Sequence, residues 1–78
     1  MRIELDKEYG LLYIELRGGE VEETVDLAEG VHLDVDAEGR ALGIEFISLE
    51  AFEHYLRTHA GAVEIPDVVE DPSALRLP

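Results

Sequence analysis

Residues 2–47 alternate between short apolar runs and glycine-marked turns, a pattern typical of consecutive β-hairpins. Ile3 and Leu5 share one face of a first short strand. The second strand runs from residue 11 to 17 and separates an inward set of side chains from an outward one: Leu12, Ile14 and Leu16 against Tyr13, Glu15 and Arg17. Because strands covered on one side alternate in this way, the pattern predicts an antiparallel sheet with one buried face.

The Gly18-Gly19 pair has the composition of a two-residue hairpin loop, since both positions accept positive φ without steric cost. Such a loop would pair the second strand with the third. It would also set Ile14 opposite Glu23, a mismatch that indicates a frayed or edge strand.

The last hairpin has the clearest register. With Glu38-Gly39 as its two-residue loop, each inward residue meets an inward partner: Val35 with Leu42, Leu33 with Ile44, and Val31 with Phe46. A slip of one residue would bury Asp34 and expose the apolar set. The sequence therefore predicts an antiparallel β-meander of about five strands.

A helix is predicted to follow at residues 49–59. Ser48 offers an N-cap, and Glu50 lies in the first turn, where the helix dipole favours a carboxylate. Gly61 is a suitable C′ residue. Apolar side chains recur at helical spacing and would pack on the sheet: Leu49, Phe52, Tyr55 and Leu56. The predicted class is α+β, with a meander, one C-terminal helix and an extended tail.

The tail contains three prolines, which exclude a regular helix or a central strand across it. We therefore divide the chain into a domain at residues 1–61 and a C-terminal arm at residues 62–78. Val63 and Ile65 are too apolar for a simple solvated linker. Two interpretations stay open: a loose terminus, or an arm across a neighbouring subunit in which residues 63–65 add a short edge strand.

Charge and length narrow the classes of function. The 78 residues carry a formal net charge of -13, which argues against nucleic-acid and anionic-membrane partners. No apolar run approaches the ~20 residues that span a bilayer, and the N-terminus lacks an apolar signal core, so we expect a cytoplasmic protein. There is no cysteine, which excludes disulfides and thiol catalysis.

Composition also bears on the source and on stability. Asn and Gln are absent and Arg far outnumbers Lys, which favours a thermophilic source, although GC-rich codon usage or salt adaptation would give similar biases. A domain this small buries little core. Without disulfides, we expect its stability to come from a metal or from oligomerisation.

Two outward-facing residues, Leu11 and Tyr13, are bulky enough to suggest that something covers them, either the chain's own tail or a second subunit. Together with Val63 and Ile65 in the arm, they are the predicted interface of a homo-oligomer, a dimer or larger. An unknown protein partner is a further option.

The spacing of acidic residues suggests a divalent metal site as an alternative. Carboxylates at Asp34, Asp36, Glu38 and Glu45 with Gly39 approach EF-hand spacing, but the flanks alternate as strands rather than helices. In the predicted register, His32 lies opposite Glu45 with Asp34 two residues along, so these three could form an open metal triad. Solvated ion pairs explain the same pattern, and we predict no resident cofactor.

Two stretches carry a family resemblance. The most specific part is Gly39-Arg40-x-x-Gly43-Ile44-Glu45, within a longer run at residues 30–45, and a second part spans Leu5-Asp6-Lys7-Glu8 and residues 12–16. They resemble a family of small prokaryotic proteins catalogued as domain of unknown function number twenty-two eighty-three. The resemblance covers about residues 3–48 and implies a small strand-rich domain. It implies no activity, cofactor or catalytic residue.

No nucleophile motif and no phosphate-binding loop is present, so an enzyme is the less favoured class. The sequence predicts an acidic, self-associating binding or accessory module. The alternative is a divalent-metal-binding protein that uses His32, Asp34 and Glu45. A third option, an acidic decoy for a basic partner, depends on charge alone.

Overall fold

The computed structural model describes residues 1–63, Ile65 and Val69. These residues form five strands and one helix in the order β1 (Arg2–Asp6), β2 (Leu11–Glu15), β3 (Glu23–Ala28), β4 (Val31–Val35), β5 (Ala41–Phe46) and α1 (Leu49–Thr58). Every neighbouring pair of strands is antiparallel. The predicted α+β class, with a strand-rich first part and one C-terminal helix, is confirmed.

The order of strands across the sheet is β1-β2-β5-β4-β3, so β2 pairs with β5 rather than with β3. The expected hairpin at Gly18-Gly19 is therefore wrong. Instead, residues 16–22 cross from β2 to the far edge of the sheet, and β2 to β5 form a Greek key. In this arrangement Ile14 lies opposite Ile44, which removes the mismatch with Glu23.

The β4–β5 hairpin keeps most of its predicted register. Leu33 pairs with Ile44, and Val31 with Phe46, as expected, but Val35 pairs with Ala41 instead of Leu42. The reason lies in the turn. Its loop holds three residues, because the N–H of Asp36 donates to Arg40 and the N–H of Gly39 donates back to Asp36, both at 3.0 Å.

Gly39 has a φ of +80°, as the third residue of such a loop requires. The extra loop residue shifts β5 by one position at its start, and a bulge absorbs the shift.

The core lies between one face of the sheet and α1. Phe46 is fully buried and makes edge-to-face contacts with Phe52 and Tyr55 of the helix. Ser48 caps α1 as predicted, since its hydroxyl accepts a hydrogen bond from the N–H of Ala51 at 3.0 Å. The buried core includes these strand and arm residues: Leu12, Val31, Leu33, Val35, Ala41, Ile44 and Val69.

The helix ends one residue earlier than expected, with His59 as its C-cap. The first left-handed residue after it is Ala60, with a φ of +55°, and Gly61 follows with a φ of +77°. The N–H of Gly61 donates to the carbonyl of Leu56 at 2.7 Å, which is the long hydrogen bond of a Schellman motif. Alanine therefore occupies the position where the sequence suggested glycine.

Three apolar residues of the predicted arm lie on the chain's own core. Val63 and Ile65 are half-buried against it, and Val69 is buried. The N–H of Val69 donates to the carbonyl of Gly39 at 2.6 Å, which ties the arm to the β4–β5 turn. Neither Val63 nor Ile65 belongs to a strand. Residue 64 and, apart from Val69, residues 66–78 of the predicted arm lie outside the described residues.

Candidate functional site

The outer face of the sheet, which α1 does not cover, is organised around Tyr13. Its ring extends from β2 over Gly43 in β5, so closely that a side chain at position 43 would overlap the phenol. The Tyr13 hydroxyl donates to Oδ2 of Asp34 in β4 at 3.0 Å, and the Thr24 hydroxyl of β3 donates to Oδ1 at 2.7 Å. One carboxylate thus joins side chains from three strands.

This environment changes the acidity of Tyr13. Burial of the phenol is the main cause, and the hydrogen bond to Asp34 and the charge of that carboxylate add to it. Glu15 and Glu45 contribute as well, and together these effects raise the pKa of Tyr13 to about 12. All of them disfavour the phenolate, so Tyr13 serves as a hydrogen-bond donor near neutral pH rather than as a general base.

The predicted metal residues lie on this face but do not converge on one point. His32 is opposite Glu45, as expected from the register. However, the Nδ1 atom of His32 faces Asp26 at 3.8 Å, and both oxygens of Asp34 already accept hydrogen bonds. Within the described part of the chain, no group of three His, Asp or Glu side chains is placed to hold a metal ion.

The EF-hand-like spacing has a different structural role. Oδ1 of Asp36 accepts hydrogen bonds from the N–H groups of Glu38 and Arg40 at 3.0 and 2.8 Å, and Oδ2 accepts one from Nε of Arg40 at 2.8 Å. Desolvation of the carboxylate opposes ionisation, but these hydrogen bonds and the Arg40 charge outweigh it and lower the pKa of Asp36. Asp36 organises the β4–β5 turn.

The predicted interface residues are not gathered into one surface. Leu11 and Tyr13 are half-buried on the outer face, and Val63 and Ile65 pack on the opposite side, against the core. A subunit contact through Leu11 and Tyr13 stays a prediction.

Sequence reasoning missed the apolar side chains of β1 as a surface feature. Ile3 and Leu5 lie opposite Ile14 and Leu12 on the core-facing side of the sheet, yet they are 60% and 47% exposed. We call these two residues the β1 strip. One feature of the sequence pointed to this exposure: β1 is the first strand of the chain, and a terminal strand can lie at the edge of a sheet.

The two edges of the sheet differ sharply. β3 carries a register irregularity between Asp26 and Ala28, and acidic residues are dense in and around it: Glu20, Glu22, Glu23, Asp26 and Glu29. β1 pairs with β2 through five consecutive residues without interruption. A bulge protects an edge against pairing with another chain, and of the two edge strands only β3 carries one; β1 has charged side chains on one face but no irregularity in its pairing.

In the described residues, these features define a small acidic α+β protein with a Greek-key sheet, a covering helix and an uninterrupted edge strand, β1, with an apolar face. The chain belongs to the family described as "Protein of unknown function (DUF2283)", whose model matches residues 2–49. That match spans all five strands and ends at the start of α1. No curated protein and no solved structure matches the chain. The helix in the described residues is too short to cross a membrane.

Proposed function

We propose that this protein is a small acidic binding module that self-associates through the edge of its sheet at β1. The observation that carries the proposal is the β1 strip. Ile3 and Leu5 lie on the same face of the sheet as the apolar core, but they are exposed to solvent. Isolated exposed apolar residues are common on proteins. These two are neighbours on one face of an edge strand, and no strand among the described residues lies beside the outer backbone groups of that edge.

The placement of α1 supports this proposal. The helix packs mainly over β2, β4 and β5. All five residues of β1 are exposed, whereas Leu12 in the adjacent β2 is buried. A second subunit at this edge would cover the side chains and the backbone of β1 together. Full burial of an aliphatic side chain stabilises by about 1.5–3 kcal/mol, which matters in a domain with so small a core.

The hydrogen bonds of a strand edge supply the second part of the interaction. Strand addition satisfies the outward N–H and C=O groups of an edge strand, while alternating side chains set specificity. β1 has this alternation, with Ile3 and Leu5 on one face and charged residues on the other. The same edge is suitable for an extended segment of another protein, which is the binding role that we assign to the module.

Sedimentation analysis or light scattering at micromolar concentration tests the proposal. We expect a mass of twice the 8.7 kDa chain or more. Leu5→Lys should give a monomer, because it places a charge in the strip. Val21→Lys is the matched control, since Val21 is 49% exposed but lies outside all strands.

Circular dichroism of both variants verifies that they fold. A wild-type monomer would contradict self-association. Equal loss of mass in the two variants would contradict the assignment to β1.

A further inference from the structure

We infer that two copies of this chain join their β1 strands antiparallel about a two-fold axis at Ile3, so that their sheets become one continuous sheet. This inference rests on the proposed function and specifies its partner and register. Residues directly opposite in an antiparallel pair lie on the same face of a sheet. Both α1 helices would therefore cover the same side of the joined sheet.

The direction of the strands selects β1–β1 contact over head-to-tail contact. Because each neighbouring pair in the sheet is antiparallel, the two edge strands β1 and β3 run in the same direction. Head-to-tail stacking within one sheet would set β1 parallel to the irregular, acidic β3 of another copy. A two-fold axis instead pairs two uninterrupted β1 edges, which closes the assembly at a dimer.

Charge complementarity selects the register. Three registers keep the β1 strip on one face, with the two-fold axis at Ile3, Glu4 or Leu5. With Ile3 opposite Ile3 of the partner subunit, Arg2 faces Glu4 of the partner subunit, and the pairing repeats by symmetry. With Ile3 opposite Leu5 of the partner subunit, Arg2 would face Asp6 of the partner subunit, but Glu4 would also face Glu4 of the partner subunit. With Leu5 opposite Leu5 of the partner subunit, Glu4 would face Asp6 of the partner subunit. Like charges directly opposite destabilise a sheet, so the first register is favoured.

Arg2 is well placed for this contact. Its guanidinium lies 2.7 Å from a Glu4 oxygen and 2.8 Å from a Glu15 oxygen, and its side chain is 68% exposed. In a chain of net charge -13, a cation on the edge strand offsets the repulsion between two copies where they approach. In the two-fold dimer, each Arg2 faces Glu4 of the partner subunit, so the same surface supplies both charges of each pair. For this reason we assign a second copy of this chain as the partner that binds at the β1 edge.

Disulfide trapping tests the register, because the chain has no cysteine of its own. In the proposed dimer, the two Ile3 Cα atoms are directly opposite, about 4.5–5.5 Å apart, within the range of a disulfide. The two Glu4 Cα atoms are about 8 Å apart, beyond that range. We therefore expect Ile3→Cys to form a covalent dimer on mild oxidation much faster than Glu4→Cys. Val21→Cys measures the rate of random collision.

Faster crosslinking by Glu4→Cys would overturn the register and leave self-association intact, provided that the wild-type mass is dimeric. Equal rates for Ile3→Cys and Val21→Cys would overturn pairing at β1. A monomeric wild-type mass would instead reject the proposed function itself. The two levels of the proposal thus fail in distinguishable ways.

Charge exchange gives an independent test. Arg2→Glu and Glu4→Arg should each weaken dimerisation by about tenfold, because each creates two like-charge pairs. The combined variant restores opposite charges and should recover most of the affinity. In the register with Ile3 opposite Leu5 of the partner subunit, the combined variant would set the acidic side chain now at position 2 against Asp6 of the partner subunit. It would then recover nothing, which would overturn the inference.

Discussion

The ring of Tyr13 lies directly over Gly43, and this contact allows its hydroxyl to reach Asp34 across the intervening strand. Glycine inside a strand weakens it unless another group approaches closely. Here the phenol occupies the space that a side chain would take. Gly43 is the second glycine of the Gly39-Arg40-x-x-Gly43 segment, and the contact with Tyr13 gives a physical reason for its presence.

We expect Gly43→Ala to lower the free energy of unfolding by about 1–3 kcal/mol, because the new methyl group must displace the Tyr13 ring. Tyr13→Ala should relieve this overlap. Denaturant unfolding of both single variants and the double variant should therefore show that the double loss is smaller than the sum. Strict additivity would mean that the two residues do not interact.

The Tyr13 phenol should ionise near pH 12. Subtracting the near-ultraviolet alkaline titration of Tyr13→Phe from that of the wild type isolates this group. Asp34→Asn should shift the midpoint downward, because Asp34 contributes to the raised pKa. A difference curve centred at the ordinary value of 10.0 would be inconsistent with the observed contact.

The raised pKa of Tyr13 determines how the stability of the fold changes with pH. The folded state favours the protonated phenol, so Tyr13 contributes its full stabilisation below pH 10 and loses it as the pH rises toward 12. Tyr13→Phe should therefore lose stability with rising pH less steeply than the wild type in this interval. Thermal melts across the interval measure the difference.

Asp36 should behave in the opposite sense. Its pKa lies below the ordinary value of 3.8, so its stabilising contribution is complete above that pH and is lost as the pH falls through the lowered pKa. Asp36→Asn should be less stable than the wild type at neutral pH, and the two should converge in acid. The test compares the free energy of unfolding of the two proteins at each pH. A constant difference at every pH would contradict the role of ionised Asp36 in the turn.

Ala60→Gly should stabilise the protein by about 1 kcal/mol, because alanine pays a steric cost in the left-handed conformation at the end of α1. For a domain of this size, that gain raises Tm by roughly 4–8 °C. Ala62→Gly serves as the control, since Ala62 does not have a positive φ, and it should bring no gain. Equal melting temperatures for Ala60→Gly and the wild type would contradict the left-handed conformation of Ala60 at the end of α1.

Divalent metals should leave the thermal melt unchanged. A ligand that binds the native state raises its stability in proportion to the logarithm of its concentration. Asp34 is already engaged by Tyr13 and Thr24, and His32 faces Asp26, so the predicted triad with Glu45 lacks a shared centre. We expect no shift of Tm with millimolar Ca²⁺, Mg²⁺, Mn²⁺ or Zn²⁺. A rise that Asp34→Asn abolishes would restore the metal hypothesis.

The β4–β5 hairpin and the start of α1 were predictable because their signals are local. Alternating apolar residues on both sides of a short turn allow one favourable register, and Ser48 precedes a helical stripe directly. The turn itself was predicted one residue too short. A two-residue loop and a three-residue loop with glycine at its third position differ in which backbone hydrogen bonds close the turn. The pattern of apolar residues does not indicate which of these hydrogen bonds form.

The Gly18-Gly19 connection shows what local signals cannot decide. Two glycines permit a tight hairpin, but they equally permit a bend in a longer crossing. The opposition of Ile14 and Glu23 was the one indication that the tight hairpin was wrong. Pairing β2 with β5 places Ile14 beside Ile44 instead.

From its amino-acid order alone, this chain determined the approximate positions of the strands and of the helix and which side of each element is apolar, although the strand predicted at residues 11–17 ends at Glu15. Those properties depend on periodicity and on neighbours a few positions away. Only the tertiary structure decided that β5 lies between β2 and β4, that Tyr13 covers Gly43, and that Ile3 and Leu5 are left exposed. Strand order and coverage depend on contacts between distant parts of the chain, and many arrangements satisfy the same alternation of apolar and polar residues.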